Sequence, residues 1–178
     1  MAGMKEQMGK LNFLVKEADG AFSGGDVTAR IGACTIYAGI MELLTIQAAK
    51  LMEQIILKSQ LHKGKNVAFT PHDDSFFYGE KVGTRRILIA ISETLPFRAS
   101  GKTREEDAAK INGLAKRFID SGHGFLDLRN TLIHHMGNPE KNLGDIENSC
   151  LRIKESFEKF SAAQKEFVLA AQPFRTIG

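Results

Sequence analysis

Apolar residues recur along this chain at intervals of three and four, the spacing that gathers them on one face of an α-helix. Leu11, Leu14, Val15 and Ala18 form a first short stripe that ends before Gly20. The Ser23-Gly24-Gly25-Asp26 run predicts a turn, with Asp26 placed to accept amide hydrogens at the start of the next helix. From Val27, the pattern Ile31, Cys34, Ala38, Met41, Leu44, Ala48, Met52 and Ile55 predicts one long helix reaching towards Gly64. Residues 65–75 read as a loop around Pro71. A further helix is expected to begin near Phe76, to carry Val82, Ile87, Leu88 and Ile91, and to stop before Pro96.

After a loop from Arg98 to Lys102, Thr103 followed by Glu105, Glu106 and Asp107 marks an acidic helix start, favoured by the positive end of the helix dipole. Ile111, Ala115, Phe118, Gly122, Phe125, Arg129, Leu132 and Met136 keep the three–four period, so Arg129 takes a place in an otherwise apolar stripe. The Ser121-Gly122-His123-Gly124 segment predicts a kink, and Gly137 with Pro139 an end. A last helix is expected from about Asp145, with Ile146, Cys150, Ile153, Phe157, Phe160, Phe167 and Ala171 on one face. Five helices and no strand with a partner give an all-α fold, an up-and-down helical bundle, in a single domain over residues 1–178.

The composition agrees with that architecture. A chain of 178 residues, 43% of them apolar and 25% charged, supports a core without disulfide or metal staples. Its two cysteines, Cys34 and Cys150, are far apart in sequence and read as small buried apolar residues, which suits a reducing cytoplasm. Lys5, Glu6 and Lys10 break the order of a secretory signal, so a cytoplasmic location is expected. Ile31 to Ala49 is apolar, but Glu42 and Gln47 would be costly in lipid, so a buried bundle helix is expected and no membrane partner. Net charge is +3, and Lys58 to Arg104 holds nine basic residues against four acidic ones. Charge scattered in this way is first a solvated face, and it is compatible with a nucleic-acid backbone.

The chemistry concentrates in Arg129-Asn130-Thr131-Leu132-Ile133-His134. Arginine is a permanent planar cation matched to phosphate oxygens, and histidine exchanges a proton near neutral pH. Asn130 and His134, four apart, share a helix face, with Arg129 adjacent. An arginine followed by a histidine at such spacing arises by chance about once in a chain like this one, as Arg117 before His123 illustrates. The context is what raises the second pair above the first: Arg129 sits in the apolar stripe, where a charge needs either an ion-pair partner or a partner surface. Glu42 is one candidate partner. The competing explanation of His134 and His135 is structural, since basic side chains are favoured at helix C-termini. No phosphate loop, dinucleotide fingerprint or serine nucleophile elbow is present, so no cofactor is expected. His62, His72, His123, His134 and His135 lack the Glu-x-x-His spacing of carboxylate bundles, and no metal site is expected. Phe76, Phe77 and Tyr78 beside basic residues read as core, with base stacking the alternative.

The Arg-Asn-x-x-x-His run near the end of a helix in a small all-helical chain resembles the signature of the HEPN superfamily. The architecture is similar over most of the chain, the motif only over Arg129 to His134. The resemblance implies a homodimer in which two copies of the motif face each other, and metal-independent cleavage of RNA, as in toxin–antitoxin and abortive-infection systems. It implies that Arg129 holds the scissile phosphate, that His134 transfers a proton at the 2′-hydroxyl, and that Asn130 orients one of them. His135 keeps a permitted spacing and is a rival for the histidine role. Some toxin members carry a tyrosine two residues past the histidine, where this chain has Met136. Non-catalytic relatives, similar to the mannitol operon repressor family, share the bundle and act through contacts with partners. An antitoxin or a regulatory protein is therefore a second expected partner besides RNA.

Overall fold

A computed structural model describes residues 2–61, 83–93, 95 and 105–174. The protein is an all-α helical bundle, and the described residues include no strand. Its helices are α1 (Ala2–Gly24), α2 (Val27–Leu61), α3 (Thr84–Glu93), α4 (Glu105–Gly137) and α5 (Leu143–Ala171), closed by a short 3-10 turn at Gln172–Phe174. The expected loop at 65–75 and Phe76 itself lie outside the described residues; the helix expected from there to carry Ile87, Leu88 and Ile91 begins at Thr84, after a non-helical Gly83.

Local chemistry sets the helix ends. Asp26 Oδ1 accepts the Ala29 amide at 2.9 Å, the cap expected for α2. Gly25 is required just before it, because a Cβ there would collide with Ala29 Cβ and the Ala21 carbonyl oxygen. At α5 the cap falls on Asn142, earlier than expected: Asn142 Oδ1 accepts the Asp145 amide at 3.0 Å, and Asp145 Oδ2 accepts the Asn142 amide at 3.2 Å. One other expectation is corrected: α1 does not end before Gly20 but continues to Gly24. α4 remains helical through Ser121–Gly124. Glycine weakens a helix by about 1 kcal/mol, and burial offsets this at both places. Ala18 and Phe22 are buried either side of Gly20, and Gly122 lies buried between Phe118 and Phe125.

The contacts fall into two compact units, Met1–Leu43 with Gly124–Lys159, and Leu44–His123 with Phe160–Gly178. In the first unit a run of rings joins all four helical segments. Phe22 of α1 tilts on Tyr37 of α2 at 6.4 Å, Tyr37 stacks on Phe157 of α5 at 4.6 Å, and Phe157 meets the edge of Phe125 of α4 at 6.3 Å. Tyr37 also donates its hydroxyl to Asp19 Oδ1 at 2.6 Å, so its one polar atom is satisfied although the residue is fully buried. Arg30 pairs with Glu147 and stacks on the Phe22 ring, with Lys154 also over that ring. In the second unit Phe118 packs on Phe160 at 5.3 Å and Phe167 at 5.8 Å, while Arg117 pairs with Glu166 at the surface.

The stretch Val27–Met52 is long and apolar enough to cross a membrane by length and composition. Within it Ala33, Cys34, Tyr37, Ile40, Met41, Thr45, Ala48, Ala49 and Met52 are buried, while Glu42 and Leu43 are exposed.

Candidate functional site

The C-terminal half of α4 belongs to the first unit and carries the whole arginine–histidine segment. Phe125, Leu126 and Leu132 are buried and anchor this half of the helix. Arg129, Asn130 and His134 are all exposed. Among the described residues, no hydrogen bond or ion pair engages any of these three side chains; Glu42, a candidate partner of Arg129 whose default reading is a solvent-facing side chain, is exposed and makes no pair with it.

Helix geometry fixes how the three are arranged. Each residue turns the chain by about 100°, so Arg129 stands roughly 60° to one side of buried Leu132, and His134 about 140° further from Arg129 in the direction away from the core. Asn130 and Ile133 lie on the arc between them. The stripe that contains Arg129 is thus open at this end. Ile133 is 53% exposed and Met136 50%, so apolar surface flanks the guanidinium, and Met136 is open where the sequence pattern predicted burial. From a single copy, Arg129 and His134 point in clearly different directions. A phosphodiester touching both must follow the curve of the helix, or be completed from a second copy.

His135 stands apart. It lies about 60° to the other side of Leu132, half-buried, with Nδ1 2.8 Å from Ser149 Oγ of α5. Ser149 Oγ has a single hydrogen, and it donates that hydrogen to the Asp145 carbonyl at 3.0 Å. The serine can therefore only accept from the imidazole, which places a hydrogen on His135 Nδ1. Between the two histidines, the free one on the same exposed arc as Arg129 and Asn130 is His134; His135 fastens α4 to α5. Nothing in the sequence singled out Ser149, whose role depends on α5 lying against the end of α4.

Elsewhere the described residues hold no cluster of three histidine, cysteine or acidic side chains able to bind a metal ion. His123 is half-buried in the second unit. In that unit a shallow cleft of about 360 Å³ is lined by Ser92, Leu95, Asn112, Lys116, Ile119 and Asp120. His62, His72 with Asp73 and Asp74, the aromatic run Phe76–Tyr78 and most of the basic middle segment lie outside the described residues. Of its basic residues, Lys58 lies in α2, and Arg85 and Arg86 are exposed on α3.

Compared with models of known families, with curated proteins and with solved structures, the chain matches none of them.

Proposed function

We propose that the protein is a HEPN-like RNA-binding protein that acts in the cytoplasm as a metal-independent endoribonuclease of the toxin or abortive-infection kind, working as a homodimer. The observation that carries this reading is that Arg129, Asn130 and His134 share one exposed arc of α4 with no partner among the described residues. Permanent positive charge and an imidazole, both open to a ligand, are what phosphodiester cleavage without a metal requires. Arg129 neutralises the scissile phosphate. His134 takes the proton of the 2′-hydroxyl as that oxygen attacks phosphorus, and Asn130 orients the reacting groups. The bond to the 5′-oxygen breaks, that oxygen takes a proton from solvent, and the products are a 2′,3′-cyclic phosphate and a 5′-hydroxyl. A positioned general base contributes about 10²–10⁴-fold. The divergence of Arg129 and His134 on one helix supports a site completed by the second copy, against the exposed Ile133 and Met136.

The same two apolar residues favour a second reading, a non-catalytic HEPN-like interaction module resembling the mannitol operon repressor family, with a regulatory protein or an antitoxin seated on this face. Incubation of RNA with the purified protein in excess EDTA separates the two. The nuclease yields cyclic-phosphate ends, Arg129→Ala and His134→Ala each abolish them, and His135→Ala reduces them less. RNA left intact at micromolar protein, with Arg129→Ala altering only self-association, selects the interaction module.

A further inference from the structure

Cys34 and Cys150, 116 positions apart, are neighbours in the fold. Cys34 comes from α2 and Cys150 from α5, both within the first unit. Cys34 Sγ lies 3.8 Å from the Cys150 carbonyl oxygen, so the side chain of one cysteine reaches the backbone of the other. Both are reduced, and both are buried, at 4% and 0% exposure. The proposed nuclease site uses neither, and ordinary core packing does not require that the only two sulfhydryls of the chain meet.

We infer that Cys34 and Cys150 form an intramolecular disulfide, a clasp between α2 and α5 that is set by exchange with a small-molecule disulfide such as oxidised glutathione. One thiolate attacks glutathione disulfide and releases one glutathione. The second thiolate then displaces the other glutathione from the mixed disulfide, so two protein thiols are oxidised and two glutathione thiols are formed. Burial pushes both protein thiols above their ordinary range, Cys34 also through its Cys150 neighbour. The reactive thiolate is therefore scarce in the folded chain, and the exchange proceeds while this part of the fold is open. The same burial shields the finished bond and makes its sulfurs poor leaving groups, so reduction is slow as well. The clasp is slow in both directions, unlike a surface redox sensor.

The test follows thiols and mass in the 178-residue chain. One sample is unfolded, reduced and refolded in a glutathione buffer rich in the oxidised form; another is held folded in the same buffer a few degrees below its melting temperature. The expected product is monomeric, lacks both free thiols and two hydrogens of mass, and gives one linked peptide pair containing Cys34 and Cys150. It should melt on the order of 5–15 °C above the reduced protein, because the bridge closes a long loop of the unfolded chain. Cys150→Ala should carry no such gain over its own reduced form. Two thiols persisting in both samples, glutathione adducts that do not resolve, or bridges only between chains would overturn the inference. The folded sample keeps the test open if refolding fails.

Discussion

Tyr37 is the residue where electrostatics and packing are most tightly joined. Burial, reinforced by its hydrogen bond to the Asp19 carboxylate, holds its phenol well above the ordinary value near 10. The unfolded chain loses this proton near pH 10 while the folded one keeps it, so above that pH the folded state binds more protons and stability falls as pH rises. The slope from one such group is at most about 1.4 kcal/mol per pH unit. Tyr37→Phe should flatten the decline between urea denaturation at pH 9 and at pH 11, and should cost about 1–2 kcal/mol at pH 7 through the stranded carboxylate. An unchanged alkaline slope would place the loss elsewhere. The burial of Tyr37 was not legible in the sequence, because it lies off the stripe read for α2. The same holds for Ser149: a serine on a helix gives no sign of whether an imidazole will reach it from another.

Helices were the most legible part of the chain. The Asp26 cap, the single run of α2 and the acidic start of α4 follow directly from residue types whose effects act within one turn. At the interior glycines a longer-range term decides. Glycines at 20, 122 and 124 mark weak points, yet the helices pass through them because flanking side chains are buried. The start of α5 was missed because Asn142 and Asp145 cap reciprocally, a pairing of side chain and amide at both positions. Asn142→Ala should cost about 0.5–2 kcal/mol, seen as a melting temperature lower by about 2–8 °C, with far-UV helicity otherwise retained. The same change is also a sensitive probe of His135, since Asp145 supplies the carbonyl that orients Ser149.

For the molecule as a whole, the sequence yielded the fold class and the location of the candidate chemistry, but not which parts of a stripe are covered. Periodicity assigns a side to each helix; it cannot say where the neighbour on that side ends. Phe118 and Phe125 are buried, whereas Arg129 and Met136 on the same stripe are exposed, and it is this change along α4 that opens the candidate site. Ile133→Asp should leave monomer stability within about 0.5 kcal/mol, because the side chain is half in solvent already, while weakening any dimer built on this face. Sedimentation at micromolar concentration reads the difference, and a wild type that is monomeric there would remove the homodimer from the proposed function. Gln164 has a different consequence. Its buried amide donates to the Leu44 carbonyl at 3.4 Å and to Gln47 Oε1 at 3.1 Å, while Phe160 and Phe167 on the same helix offer only hydrocarbon. Greasy surfaces tolerate being slid along one another, but a one-turn slip of about 5.4 Å would leave two amides facing rings. That single carboxamide works as a vernier mark, telling α5 not which way to face but how far along α2 to stop.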